Sequence, residues 1–454
     1  MKIFRLALVL FYTFPGLAGF PAQAPDDALV SKARAFIAAL EKNDFQAAAK
    51  DFDDTMLKLS GPDKLAAFWK SVPAQMSPFK RQTAARRDTL GAYDIVLVTC
   101  EFEKQTLDAR IVFEKDGKIA GFQFIPSLAP ARYETPAYAD ASRFTESEVT
   151  VGSGEWALPG TLSLPTGQGP FPALVLVHGS GPNDRDESIG PNKPFKDLAW
   201  GLASRGIAVL RYDKRTKVYG AKIIKDARLP LLTVKEETID DAVEAVRILQ
   251  KTALIDARRV FVLGHSLGGM LIPRIALASK SLAPAGFISM AGLTRALDDT
   301  TLEQFNYLAG LGGMTEEWKK KIETVKAQVA QIKAFKDSDR GAAQPFIMGA
   351  APAYWLDMRG YYPPRTARTM DRPFLILQGG RDYQVTKVDY DNWKKDLEGR
   401  PGVEFHFYPK CNHLFFEAEG IPSPDEYMLK HGSVAPQVVE DIATFILKTD
   451  GGLR

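Results

Sequence analysis

Residues 260–269 read Val-Phe-Val-Leu-Gly-His-Ser-Leu-Gly-Gly, an apolar run that halts at a glycine, presents one serine, and passes into an apolar stretch from Met270 to Ala278. Few folds accommodate that order. The run before Gly264 has the length and composition of a buried strand, and the stretch after Gly269 has those of a helix, so Ser266 stands on the sharp turn between them. Such a turn strains the backbone of its central residue, and a side chain at 264 or 268 would strike the neighbouring strand and helix, so both positions require a residue without Cβ. A serine exposed in this way at the top of a parallel sheet is placed to act as a nucleophile. The bland alternative is a glycine-rich turn with an incidental serine, and the flanking strand and helix weigh against it.

The chain has 454 residues, 45% hydrophobic and 25% charged, which is ordinary globular usage and long for one domain. Two domains are expected. The net charge of +3 includes Lys2 and Arg5, so nothing favours a nucleic acid or a strongly acidic partner. Those two cations precede an apolar core, Leu6 to Phe14, then Pro15-Gly16 and Ala22-Gln23-Ala24. This is the pattern of a secretory signal peptide over residues 1–24, cleaved near Ala24, which predicts a secreted or periplasmic mature chain with no membrane span. An uncleaved anchor is disfavoured because the apolar stretch is short for a span.

Only two cysteines occur, Cys100 and Cys411, and they fall in different expected domains, so two separate small buried side chains are the expectation rather than a disulfide. The five histidines, His178, His265, His406, His413 and His431, lack metal-ligand spacing, and no metal is expected.

Residues 25–130 have their own grammar. Helical patterns over 27–41, 45–57 and 63–72 precede strand-like segments near 79–89, 93–103, 106–115 and 118–125, with a hairpin turn at Asp116-Gly117. Three helices followed by a meander make a small α+β unit. It resembles the cone-like domains related to nuclear transport factor 2 (NTF2-like, of the DUF3887 type) that precede some secreted hydrolases. The resemblance implies an accessory domain that binds a ligand or dimerises, so a homodimer through it is left open.

A polar, proline-containing linker over residues 131–143 leads into a second domain, 144–450. A hairpin at 144–151 and 156–164 is followed by alternation: strands at 173–177, 208–212, 260–263 and 286–290, and helices at 195–204, 234–251 and 270–278. Alternation implies right-handed crossovers and a doubly wound, mostly parallel sheet covered on both faces.

This second domain resembles the α/β-hydrolases, and among them secreted bacterial carboxylesterases. Three motifs besides the serine turn carry the likeness. In Val175-Leu176-Val177-His178-Gly179-Ser180-Gly181-Pro182 the family pattern implies an oxyanion hole, with the N–H groups of Ser180 and Leu267 as donors. In Pro373-Phe374-Leu375-Ile376-Leu377-Gln378-Gly379-Gly380-Arg381-Asp382 an apolar strand ends on an acid, where the family carries its triad carboxylate. After Phe405 to Tyr408, the loop Pro409-Lys410-Cys411-Asn412-His413 offers a general base. The resemblance thus implies a Ser266–Asp382–His413 triad, in the chain order this fold uses. His406 competes for the base role, but a ring buried in the sheet would not reach the turn.

Between Met290 and Pro373 the connection is too long for a simple loop. Lids in this family are inserted here, so residues 293–368 are expected to form a helical cap with Trp355, Tyr361 and Tyr362 as candidate substrate-binding walls. Packing of the cap onto the core is the equal alternative for these aromatics. Charged runs at Asn183 to Lys193 and Arg211 to Arg215 are expected at the mouth of the site, either as a solvated salt-bridge network or in contact with substrate, and are left out of the catalytic set. The resemblance implies a carboxylesterase-type serine hydrolase acting on a small-molecule ester of short to medium acyl chain, without a cofactor. A serine peptidase, an acyl-thioester hydrolase and a non-catalytic ligand-binding protein are the alternatives.

Overall fold

Ala33, Phe36, Ile37 and Leu40 recur at helical spacing and form the buried stripe of α1 (Ala28–Glu41). The computed structural model describes residues 28–450 apart from 91–92, 128–132, 227–228, 343–345 and 429, and the leader expected over 1–24 lies outside the described residues. Two units divide at residues 131 and 132.

In the first unit α1 is followed by α2 (Phe45–Ala49), α3 (Asp54–Ser60) and α4 (Pro62–Met76). The single helix expected over 45–57 is in fact broken. The Asp53 carboxylate accepts the Met56 N–H at 2.6 Å and starts α3 afresh, while the Asp53 N–H donates to the Ile119 carbonyl and leaves the helical path. Strands β1 (Phe79–Leu90), β2 (Tyr93–Phe102), β3 (Thr106–Phe113) and β4 (Ile119–Pro126) form an antiparallel meander in that order. Gly117, at φ 77°, makes the turn before β4. Phe36 of α1 packs edge-on against Phe122 at 4.8 Å, one contact of the core that joins helices to sheet.

In the second unit β5 (Phe144–Val151) and β6 (Leu158–Pro165) pair antiparallel. Then β7 (Phe171–Val177), β8 (Ala208–Tyr212), β9 (Ile255–His265), β10 (Gly286–Met290), β11 (Phe374–Gly379) and β12 (Val403–Tyr408) run parallel to one another. The sheet order is β12-β11-β10-β9-β7-β8-β6-β5, so the expected mostly parallel architecture is present. The chain reaches β8 from β7 and then crosses back to lay β9 on the other side of β7. The loops after β7 and β9 therefore diverge from adjacent strand ends, the place where open α/β sheets bind ligands.

Helices cover both faces. They are α5 (Pro194–Ala203), α6 (Arg215–Lys225), α7 (Asp240–Lys251), α8 (Leu267–Ala278), α9 (Leu297–Gly312), α10 (Glu316–Ala334), α11 (Pro352–Met358), α12 (Pro363–Ala367), α13 (Lys387–Leu397), α14 (Asp425–Met428) and α15 (Pro436–Lys448). With right-handed crossovers, the reversal of direction after β8 puts α5 on the opposite face from α7 and α8, and α15 joins α5. Helices α9 to α12 form one excursion between β10 and β11. Residues 133–143 belong to the second unit and are bonded into it: the Tyr138 hydroxyl donates to the Val434 carbonyl at 2.8 Å, and the Asp140 N–H donates to Ser204 Oγ at 2.8 Å. Among the described residues no helix is long and apolar enough to cross a membrane.

Candidate active site

Ser266 sits between β9 and α8 at φ 53° and ψ −115°, a left-handed conformation that costs a non-glycine residue about 1–3 kcal/mol. Its neighbours explain how the strain is held. A Cβ on Gly264 would lie 2.2 Å from the Gly268 carbonyl oxygen, and one on Gly268 would lie 2.4 Å from that of Val177. The turn is therefore pressed against the end of β7, closer than any side chain allows. The Ser266 N–H donates to the Met290 carbonyl at 2.9 Å, which pins the turn to β10 as well.

The loop after β7, where the family resemblance implies an oxyanion hole, runs alongside the serine turn. Gly179 lies so close that a Cβ there would come within 3.1 Å of Ser266 Cβ. Its own N–H donates to Glu187 Oε1 at 2.7 Å, and its carbonyl accepts from Lys214 Nζ at 2.8 Å. Among the described residues, the N–H groups of Ser180 and Leu267 have no protein acceptor; that of Leu267 belongs to the first turn of α8, where donors are left over. His178 is buried with its Nε2 3.0 Å from the Asp184 carbonyl, and burial pushes its pKa down to about 4, so it is a neutral ring that donates to this carbonyl.

Asp382 and His413 meet across the ends of β11 and β12. Asp382 Oδ2 lies 2.6 Å from His413 Nδ1, and Asp382 Oδ1 accepts the N–H groups of Gln384 and Val385 at 2.8 and 2.9 Å. This carboxylate calls for a proton on Nδ1 and leaves Nε2 of His413 free to accept one. Gly379 and Gly380 let the two loops touch, since a Cβ on Gly379 would lie 2.6 Å from the Cys411 carbonyl oxygen. Asn412 Oδ1 accepts the N–H groups of Leu414 and Phe416, which shapes the turn that presents His413. His413 approaches the serine through His265: the two rings are 4.7 Å apart, and His265 Nε2 lies 3.0 Å from the His413 carbonyl oxygen. Among the described residues, Ser266 Oγ makes no hydrogen bond, so the histidine–aspartate link is closed and the serine–histidine link is open.

His406 differs from expectation. It is not buried in the sheet: β12 is an edge strand, the ring is 34% exposed, and Nδ1 lies 3.0 Å from Asp441 Oδ2 on α15. The charged runs differ in part: the Arg211 to Arg215 side of the network is buried, while Arg185 of the other run pairs with the exposed Glu148. Arg211 pairs with Asp186 at 2.5 Å, Lys214 with Glu237 at 2.8 Å and Arg215 with Asp241 at 2.5 Å, with Arg211 and Lys214 almost inaccessible. Cys100 and Cys411 are both unpaired and buried, and among the described residues no group of three His, Cys, Asp or Glu is placed to hold a metal.

Residues 174–427, more than half of the chain, match the model of the alpha/beta hydrolase family. The chain belongs to the α/β-hydrolase family. Residues 33–122 of this hydrolase match a family described as a protein of unknown function, DUF3887. The hydrolase is 38% identical over 415 residues to Esterase EstD of Thermotoga maritima, a match covering 91% of this chain and 94% of that protein. Among solved structures it is similar to puromycin hydrolase, with a TM-score of 0.42 and 15% identity over 82% of this chain and 48% of that one. This chain thus spans about half the length of puromycin hydrolase. An esterase of Pyrococcus furiosus is similar with a TM-score of 0.41 and 14% identity over 67% of this chain and 91% of that one.

In this α/β-hydrolase the three aromatics of the 293–368 segment are held in different places. Trp355 is buried, with Nε1 donating to the Ile347 carbonyl at 3.1 Å. The Tyr361 hydroxyl donates to the Met270 carbonyl of α8 at 3.0 Å, and its ring lies beside Arg274, itself paired with Asp357. Tyr362 donates to Asp396 of α13 at 2.7 Å. A different aromatic set lies beside the acid: Tyr383 stacks between Tyr307 of α9, at 5.2 Å, and Tyr427 of α14, at 6.5 Å. Sequence reasoning missed this stack, although a tyrosine immediately after Asp382 was the available signal. It also missed Glu187, which looked like one more charge in a surface run.

Proposed function

We propose that this α/β-hydrolase is a carboxylesterase-type serine hydrolase, cleaving carboxylic esters of short to medium acyl chain through an acyl-enzyme on Ser266. His413 takes the hydroxyl proton as Ser266 Oγ attacks the ester carbonyl, and Asp382 holds the ring in the required tautomer and stabilises the imidazolium that forms. The Ser180 and Leu267 N–H groups receive the negative charge that develops on the carbonyl oxygen. His413 then returns its proton to the departing alcohol. Water repeats the sequence on the acyl-enzyme and restores Ser266, and these steps need no cofactor. The open serine–histidine link closes as substrate enters, because catalytic hydrogen bonds tighten in the complex.

The observation that carries this reading is the 2.6 Å His413–Asp382 contact, set beside a serine whose turn is strained and pinned by backbone. The 38% identity with a protein named an esterase, along nearly the whole of both chains, supports the ester as the bond cleaved. The test assays purified protein and its Ser266→Ala variant on p-nitrophenyl acetate and butyrate, on matched thioesters and on aminoacyl amides. The oxygen esters should turn over fastest, and the variant should lose at least about 10³-fold. Equal turnover by the two proteins overturns the serine assignment, and preference for amides overturns the ester.

A further inference from the structure

The nucleophile turn, the anion-binding loop and the loop of the base come from three distant parts of the chain, and one buried pair touches all three. Glu187 Oε1 accepts the Gly179 N–H at 2.7 Å, and Glu187 Oε2 lies 2.8 Å from His265 Nδ1. His265, the residue before Ser266, places Nε2 3.0 Å from the His413 carbonyl oxygen. Both side chains are almost inaccessible, and Glu187 holds its place at a left-handed φ of 51°.

We infer that Glu187 and His265 form a carboxylate–imidazolium clamp that locks the anion-binding loop and the base loop onto the serine turn, making both of them positioning residues for the reaction. The inference rests on the serine-hydrolase reading above.

The protonation state follows from the partners. A carbonyl oxygen only accepts, so Nε2 of His265 carries a proton. One further proton lies between Nδ1 and Glu187 Oε2. The Gly179 N–H on Oε1 favours the carboxylate, which puts that proton on the ring. The groups facing the pair agree: burial works against the imidazolium, but the charge and hydrogen bond of Glu187, the His413 carbonyl and the nearby Asp382 outweigh it and raise the His265 pKa. Burial likewise works against the Glu187 carboxylate, and the charge and hydrogen bond of His265 together with the Gly179 N–H outweigh it. Phe195 covers one side of the His265 ring and His413 another.

An ionised pair suits this place. It is stiff and directional, and losing either partner leaves a buried charge unpaired, which is strongly destabilising. Lys214 reinforces it by holding the Gly179 carbonyl while Glu187 holds the N–H, so the peptide units on both sides of Gly179 are fixed before substrate arrives. A loop preset in this way loses no time or energy reorganising as the oxyanion forms.

The test labels the histidine rings of the full-length chain with ¹⁵N; five histidines give a countable spectrum, and His265→Gln assigns the His265 signals by their loss. At pH 7.5 both His265 nitrogens should resonate as protonated. A neutral tautomer at that pH overturns the inference. On p-nitrophenyl acetate, Glu187→Gln should lower kcat by about 10–100-fold with KM within about threefold, the size of effect seen for the outer partners that orient a metal's ligands. His265 in that variant should titrate to neutral at a lower pH, and the alkaline limb of kcat should move down with it, a shift that mere loosening of the fold would not produce. A kcat within twofold of the parent overturns the inference. The nitrogen spectrum requires no turnover, so it decides the clamp even if Ser266→Ala proves the serine assignment wrong or if Glu187→Gln fails to fold.

Discussion

Asp382 Oδ2 lies 2.6 Å from His413 Nδ1, and the other oxygen of the same carboxylate is already taken by two backbone N–H groups, those of Gln384 and Val385. That division of labour makes the orientation of the acid independent of the histidine. Asp382→Asn should therefore keep its carbonyl oxygen on the backbone donors and turn an NH₂ group toward His413. The ring is then driven into the wrong tautomer. The expected result is a fall in kcat on p-nitrophenyl acetate of about 10³–10⁴-fold with KM little changed.

The two histidines near the sheet's edge separate cleanly. His413→Ala should lower ester hydrolysis about as far as Ser266→Ala, because removing one member of such a unit costs nearly as much as removing another. His406→Ala should stay within about threefold of the parent. Its partner Asp441 retains the Tyr408 hydroxyl at 2.7 Å, so thermal melting should show only a small loss, on the order of 1 kcal/mol.

Gly268→Ala tests the contact between the serine turn and β7. Its Cβ would meet the carbonyl oxygens of Val177 and His178 at 2.4 and 2.6 Å, and both are backbone atoms that cannot swing aside. Overpacking of this kind costs about 1–3 kcal/mol or more. Melting should fall by several degrees, and ester turnover should fall further than melting explains, since the loop after β7 moves with the clash.

Asp197 supplies a pH dependence. Burial pushes its pKa up to about 7, even though the Tyr133 hydroxyl and the Val434 N–H both donate to it. The folded chain therefore binds a proton that the unfolded chain has released from about pH 4 upward, and the stability of this group declines as pH rises from about 4 through about 7. Asp197→Asn lacks that decline. The melting temperature of the variant relative to the parent should be close at pH 5 and higher by pH 8, and a constant offset across this range would contradict the assignment.

Local sequence disclosed most of what depends on local backbone. The glycines at 264 and 268 were readable as a serine turn because the absence of a Cβ is itself a backbone instruction, and the alternation after residue 144 was readable as a parallel sheet. The break at Asp53 was harder, because a capping aspartate inside an apolar period competes with the helix it interrupts. Glu187 and His265 were opaque for another reason: their partners lie 78 and 148 positions away along the chain, and a charge in a run of charges looks solvated until the loop folds over it. Lys214 misled in the same way. Trp355, Tyr361 and Tyr362 were legible as apolar mass within an insertion, but which neighbour each would face depends on the helices on either side.

Asp382 and His413 ride on a single β–α–β unit, β11–α13–β12, whereas Ser266 belongs to an earlier one, β9–α8–β10, and the excursion of α9 to α12 lies between them. The exposed turn at Gly313 to Thr315 interrupts that excursion. A chain severed there would carry Ser266 on one fragment and His413 on the other, and on the proposed mechanism neither would act alone. Restored turnover on mixing would then report reassembly of the sheet between β10 and β11, turning this esterase fold into its own complementation sensor.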